Sequence, residues 1–253
     1  MKLVIITQNE TMFLKSALDY LFRRLPDQIK IVGGVILDVS PFGEKKTLLS
    51  KLVTTIKIFG PIFALRYGLV DLWNKILQSD VESIFDKNQI QKININRSIN
   101  SIDSLTKISK LNPDLIISIT GNQIYKKALL DIPKKGIINL HSALLPKYRG
   151  LMPTFWALKN NEKETGVSVF FVDEGIDSGP ILVQKKIKLG KISQWELIRF
   201  TKYLGIEAII EAISLIDSGD YKTKPNNEEE SSYYSFPTRK DVMEFKKNGN
   251  KLF

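Results

Sequence analysis

Cysteine is absent from the 253 residues, and histidine occurs once. The missing thiols exclude disulfides, thiolate metal sites and a cysteine nucleophile. A single imidazole excludes a histidine-rich zinc site. No Gly-x-Ser-x-Gly elbow for a serine nucleophile is present, and there is no internal repeat or low-complexity tract. Met1-Lys2 runs straight into Leu3-Val4-Ile5-Ile6, too short an apolar run for a signal peptide, so a reducing, cytoplasmic setting is expected. The most apolar region, Thr47 to Leu77, is interrupted by Lys51, Lys57, Arg66 and Lys75 and split by Gly60-Pro61, which argues against a spanning helix.

What is present suffices for an ordinary core: 43% hydrophobic and 25% charged residues. The formal charge of +10 points to an anionic partner, such as nucleic acid, anionic lipid or a phosphorylated small molecule. The lysines are spread along the chain, however, and a solvated basic surface is the plainer reading.

Taken in order, Lys2 to Ile6 reads as a strand, Met12 to Arg24 as a helix and Ile29 to Leu37 as a second strand. Such a β-α-β start implies a right-handed crossover and a parallel sheet. Thr47 to Leu77 is favoured as two helices joined at Gly60-Pro61 that form a flap on the core. A basic amphipathic pair lying on a membrane surface is the other reading. A short strand is expected within Asp80 to Arg97, and a helix over Ser101 to Lys110 with Ser101 as cap. Leu115 to Ile119 is a continuous apolar strand, typical of a sheet covered on both faces. Thr120-Gly121-Asn122-Gln123 follows as a loop, and a short helix to about Leu129 leads to a strand from Gly136 to Leu140. Then come a helix over Pro153 to Lys159, strands over Gly166 to Val172 and Ile181 to Leu189, and a long helix over Ser193 to Ile216. From Asp217 the chain turns polar, yet it ends in the aromatic stretch Tyr233-Tyr234-Ser235-Phe236. The expectation is an α/β, Rossmann-like, mostly parallel open sheet with helices on both faces. Residues 1–216 would form its main domain, with 47–77 inserted as a helical flap and 217–253 as a short C-terminal extension.

Chemistry concentrates around Ile137-Ile138-Asn139-Leu140-His141. On a strand, Asn139 and His141 lie two apart and share a face. Three loops, Thr120 to Gln123, Ser142 to Gly150 and Asp173 to Gly179, are expected to meet near the carboxyl ends of the strands, where open α/β sheets bind ligands. The third carries Asp177 between Gly175 and Gly179. An amide, an imidazole and a carboxylate suit acyl transfer to an amine. The carboxylate orients the ring, the ring moves the amine proton, and the amide donates to an oxyanion. Taken singly, a histidine at a strand end and an aspartate in a glycine turn are more often structural.

The run Asn139-Leu140-His141, Leu144-Leu145-Pro146-Lys147-Tyr148-Arg149-Gly150, Glu164-Thr165-Gly166-Val167-Ser168-Val169 and Asp177-Ser178-Gly179-Pro180 resembles the N10-formyltetrahydrofolate-dependent formyltransferases. The resemblance is clear over about Pro113 to Ile187. It implies a formyltransferase fold, with Asn139, His141 and Asp177 as the catalytic trio and no metal. It also implies N10-formyltetrahydrofolate as co-substrate, the pterin lying along Ile119, Gly121 and Gln123 and along Asp173, Glu174, Gly175 and Ile176, with the Ser168 hydroxyl nearby. For the amine acceptor, Lys147, Tyr148 and Arg149 are the candidate contacts, and Tyr233, Tyr234 and Phe236 could stack on a base. Thr7-Gln8-Asn9-Glu10-Thr11 lacks the glycine-rich phosphate loop of glycinamide ribonucleotide members. The last 35 or so residues lack the successive strands of the methionyl-tRNA members' extra domain. A nucleotide-linked amino sugar is left as the expected acceptor, with a methionyl-tRNA enzyme or a non-catalytic folate- or anion-binding module as alternatives. A homodimer is compatible with the long helix and aromatic tail, and DNA is not an expected partner.

Overall fold

A computed structural model describes residues 1–39, 47–77, 80–95 and 98–253. Six strands form the main sheet: β1 (Lys2–Gln8), β2 (Lys30–Leu37), β3 (Leu115–Ile119), β4 (Ile137–His141), β6 (Glu164–Phe171) and β7 (Ile181–Lys188), in the order β2-β1-β3-β4-β6-β7. The first four neighbours pair in parallel, and β6 runs antiparallel between β4 and β7. A two-stranded ribbon pairs β5 (Arg149–Gly150) with β8 (Tyr233–Tyr234).

Strand alternation sorts the core into two layers. Leu3, Ile5, Ile117, Ile138 and Leu140 face one way, into a cluster with α1 (Leu14–Arg24), α4 (Val81–Lys87) and α8 (Gln194–Ser218). Val4, Ile6, Ile116 and Ile137 face the other way, against Ile108 of α5 (Ile102–Lys110) and Leu129 of α6 (Lys127–Leu130). Every residue of β3 is buried, as its unbroken apolar run requires. At the contact of α8 with β4, Gly205 has no room for a side chain, since a Cβ there would lie 2.5 Å from Leu140 Cδ2. The strand that carries Asn139 and His141 is thereby pressed directly onto the long helix.

Capping sets the helix starts. Ser193 and Glu196 form a reciprocal capping box at α8, and Ser101 accepts from the Ser104 amide at α5. The expected short strand within 80–97 is a helix over its first half instead. Asp80 Oδ1 accepts from the Ser83 amide at 2.8 Å, and Val81, Ile84 and Phe85 then fall at helical spacing into the core. The strand expectation survives there only as a bridge between Gly34 and Lys92 among the described residues, and Asn96 and Arg97 lie outside them.

Thr47 to Leu77 folds as expected into two helices, α2 (Leu48–Phe59) and α3 (Pro61–Ile76), turning at Gly60 with φ 95°. Residues 217–253 cross back over the molecule. There α9 (Arg239–Lys247) is opened by a capping box of Thr238 and Asp241 and buries Val242 and Phe245 beside Phe155 and Trp156 of α7 (Pro153–Lys159).

One half-buried cation works against the fold. Burial holds the Lys202 ammonium of α8 down to about 8, against the ordinary 10.5, while the Glu10 carboxylate pulls the other way. A lysine with a lowered folded-state pKa costs stability in full below pH 8, and the cost fades as pH rises toward 10.5. Lys202→Met should therefore stabilise the protein by about 1–2 kcal/mol at pH 7, discounted because part of the side chain meets solvent. Urea melts at pH 7 and near pH 10 check this: a gain that persists at the higher pH would contradict a charge origin.

Candidate functional site

The site grows from the end of β4. Its register sets Asn139 beside Ser118 and Phe170, and His141 beside Ser168. Asn139 is half-buried, and its carboxamide has no hydrogen-bond partner among the described residues. His141 is buried, with Nε2 2.7 Å from the Tyr148 carbonyl and Nδ1 3.5 Å from Asp177 Oδ2. An N–H on Nε2 donates to that carbonyl, which fixes the ring plane, and a second N–H on Nδ1 would face the carboxylate. The same Asp177 oxygen accepts from the Gly150 amide at 2.8 Å. The end of β4, the loop that follows it and the Asp177 loop thus converge on one imidazole.

Only two of the three expected loops leave the sheet where anticipated. Ile119 pairs with Leu140, so Thr120 to Gln123 departs alongside His141. The Asp177 loop starts at the opposite end. Because β6 is antiparallel, its last residue Phe171 lies opposite Ile138, and the Val172 amide donates to Ile137 at the beginning of β4. The segment then doubles back to deliver Asp177. Asn226 Nδ2 holds it there, donating to the carbonyls of Asp177 and Gly179 at 2.9 Å each. A side chain on Gly179 would sit 1.8 Å from the Phe171 carbonyl, which explains why the doubling-back needs glycine.

Left-handed backbone gathers on these loops: Thr120, Tyr148, Met152 and Asp177 have φ of 60°, 62°, 52° and 50°. Such residues cost energy and persist where surrounding contacts over-determine them, often at functional sites.

Several expected ligand contacts prove to be framework. Ser168 is fully buried, and its hydroxyl donates to the Ala143 carbonyl at 2.7 Å and accepts from the Leu145 amide at 3.0 Å and from Gln184. It fastens the Ser142 to Gly150 loop and is not presented to a ligand. Ser168→Ala should cost about 1–3 kcal/mol in chemical denaturation by orphaning the buried Leu145 amide. A loss below about 0.5 kcal/mol would show that the amide finds another partner. Arg149, expected at the acceptor, is buried instead. Its guanidinium pairs with Glu228 and donates to Asn226 at 3.0 Å, tying the loop to the C-terminal segment. Tyr148 is likewise turned inward. Its hydroxyl donates to Glu162 at 2.7 Å, its ring stacks on Tyr234, and burial together with the Glu162 carboxylate holds the phenol well above its ordinary range. Lys147 is exposed.

Among the pterin candidates, Gln123 Oε1 accepts from the Ile99 amide, Ile119 is buried, and Asp173 Oδ1 accepts from Gly175 and Ser178 within its own turn. These interactions leave the exposed Glu174 and Gly175, the half-buried Ile176 and the exposed Gly121 as the open part of the two loops. In the tail, Tyr234 lies stacked between Tyr148 and Trp156, Phe236 packs edge-on to Phe59, and Tyr233 stays half exposed. No cluster of metal-ligating residues occurs among the described residues.

Nothing in the sequence signals the fastening role of residues 226–234. Besides Asn226 and Glu228, the Ser232 hydroxyl accepts from the Tyr148 amide, and the Ser232 and Tyr234 carbonyls accept from the Arg149 and Leu151 amides. Asn226-Asn227 in a polar stretch reads as no more than a turn.

The Formyl transferase family profile matches residues 68–211, more than half of the chain. Methionyl-tRNA formyltransferase of Kosmotoga olearia is 34% identical over 160 residues, 62% of this chain and 51% of that protein. The chain thus spans about half the length of that relative. Among solved structures, the N-formyltransferase from Helicobacter canadensis in complex with folinic acid and dTDP-3-aminofucose superposes with a TM-score of 0.58 at 20% identity, covering 95% of this chain and 72% of that one. Glycinamide ribonucleotide transformylase 1 from Symbiobacterium toebii gives 0.60 at 17% identity, covering 90% and 94%. At these identities the superpositions show a shared α/β, Rossmann-like fold with a mostly parallel sheet. With its profile match over Gly68 to Glu211, the chain belongs to the formyl transferase family.

Proposed function

We propose that this chain moves a formyl group from N10-formyltetrahydrofolate to a primary amine. The observation that carries the reading is the convergence of Asn139 and His141, from one strand, with Asp177 from a doubled-back loop. The amine nitrogen attacks the formyl carbon, and the carbonyl electrons move to oxygen. Asn139, whose amide meets no partner among the described residues, donates to that oxyanion. The C–N10 bond then breaks, the acceptor nitrogen loses a proton and N10 gains one. His141 carries that proton on Nδ1, which is free in the neutral ring because Nε2–H donates to the Tyr148 carbonyl, and the Asp177 carboxylate backs the ring once both nitrogens bear hydrogen. With no cysteine in the chain and no serine elbow, direct attack by the amine is the route the residues serve. The open backbone at Gly121 and at Glu174 to Ile176 is the proposed edge for the pterin.

For the acceptor we favour a nucleotide-linked amino sugar. The Helicobacter canadensis N-formyltransferase, solved with dTDP-3-aminofucose, superposes over 95% of this chain, and Thr7-Gln8-Asn9-Glu10-Thr11 lacks a glycine-rich phosphate loop. Exposed Lys147 and half-exposed Tyr233 are the proposed contacts for a diphosphate and a base. A second reading, formylation of methionyl-tRNA, is favoured by the names of the sequence relatives. Donor consumption with a panel of nucleotide amino sugars and with charged methionyl-tRNA separates the two. Turnover on tRNA alone would remove the sugar reading, and turnover on no amine would remove formyl transfer.

A further inference from the structure

The α2–α3 hairpin carries an outer surface that the formyl-transfer reading leaves unused. On α3, Ile62, Leu65, Leu69, Leu72, Trp73 and Ile76 recur at spacings of three and four, and each is more than half exposed. At 3.6 residues per turn these six fall within an arc of about 100°. On α2, Leu49, Leu52, Val53 and Ile56 form a second exposed stripe of the same width, at i, i+3, i+4 and i+7. Contiguous apolar surface of this kind on a water-facing helix marks an interaction site.

The inward face of the hairpin is accounted for separately. Phe59 packs in the cluster that holds Ala143 and Tyr148, Phe63 stacks on Phe59 at 4.7 Å, and the Thr11 hydroxyl donates to Asp71 at 2.7 Å. The outer stripes are therefore not misplaced core. No helix of the described residues is long and apolar enough to cross a membrane.

Charge decides between occupants. The hairpin carries Lys51, Lys57, Arg66 and Lys75 against one acidic residue, Asp71, which Thr11 and Lys75 already occupy. Lys57 and Arg66 border the two stripes by the same helical arithmetic. A second copy meeting this one hairpin to hairpin would set the same cations against one another, with Asp71 already engaged on each side. An anionic lipid surface offers both an apolar boundary for Leu, Ile and Trp and negative headgroups for the bordering Lys57 and Arg66, the latter lying over the Phe253 ring at 4.3 Å. We propose that the α2–α3 hairpin docks this protein on anionic membrane surfaces, lying in the interface without spanning it. Its root beside Ala143 and Tyr148 would then hold the loop after β4 close to the lipid.

Vesicle flotation of the full chain tests this, using phosphatidylcholine alone and phosphatidylcholine with about 30% phosphatidylglycerol, at about 0.1 M and about 1 M salt. The protein should float with the anionic vesicles at low salt, much less with neutral ones, and Trp73 emission should shift to the blue, a shift absent in Trp73→Phe. Leu65→Gln/Leu69→Gln/Leu72→Gln should cut partitioning at least about tenfold. These three side chains stand in solvent, so its melting temperature and its formyl transfer in vesicle-free solution should match the parent's. Absence of flotation would overturn the proposal, as would flotation of the triple variant equal to the parent's. A dimer of the parent that the triple variant dissolves would overturn it too, by assigning the stripes to a second copy. Because donor consumption is read without vesicles, a failure of docking leaves the formyl-transfer reading standing, and the reverse.

Discussion

In purified His141→Ala, formyl transfer should fall about 10³-fold in kcat, with little change in KM for either substrate, while the folded state survives. The ring is buried but bonded only to the Tyr148 carbonyl and faced by Asp177, so its loss opens a small polar gap and leaves the core intact. Asp177→Asn is the sharper variant. One oxygen, Oδ2, serves both the Gly150 amide and His141 Nδ1. An amide oriented with its oxygen toward Gly150 keeps that loop contact and removes the charge behind the ring. Activity should drop about 10²-fold or more while the melting temperature stays within a few degrees of the parent. Full activity in Asp177→Asn would show that the carboxylate only folds the loop. Full activity in His141→Ala would remove the proposed proton carrier altogether.

The parts of this arrangement that sequence reveals are those set by local periodicity. The β-α-β start, the buried run of Leu115 to Ile119 and the strand that carries Asn139 and His141 all follow from spacing, and each is found in place. The two helices breaking at Gly60-Pro61 follow from a φ requirement and a missing amide. The failures around the site have a common physical source in long-range pairing. That β6 runs antiparallel is decided by its neighbours in the sheet, and it alone sends the Asp177 loop to the far end of β4 before it doubles back. Arg149 looks like a ligand contact in a Pro-Lys-Tyr-Arg-Gly turn. Asn226 and Glu228, more than 70 residues on, claim it instead. Ser168 lies beside His141 in the sheet register, yet its hydroxyl is engaged by the Leu145 amide and the Ala143 carbonyl. The signals for α4 and α9 are present in Asp80-x-x-Ser83 and Thr238-x-x-Asp241, cap patterns preceding apolar residues at helical spacing.

Phe245→Ala should lower stability by about 3–5 kcal/mol and the melting temperature by about 10 °C, although the residue lies in the short C-terminal segment. Its side chain is fully buried and stacks on Phe155 at 4.8 Å, in the cluster that also contains Tyr148 and Leu197. A truncation to alanine there leaves a void among rings that cannot collapse inward. Met243 supplies the control. It lies on the same helix, two residues away, but is 62% exposed, and Met243→Ala should stay within about 0.5 kcal/mol. Equal melts for the two variants would mean that α9 frays independently of the body. The expected difference carries a mechanistic consequence. The segment that Phe245 anchors also supplies Ser232 and Tyr234 to the Tyr148–Leu151 backbone, and Tyr148 in turn presents the carbonyl that sets the plane of His141. Loosening α9 should therefore lower kcat below the unfolding temperature as well, through misplacement of the imidazole rather than loss of any reacting group. Measured at a temperature where both variants are folded, Phe245→Ala should be the slower enzyme, and Met243→Ala should turn over at the parent rate.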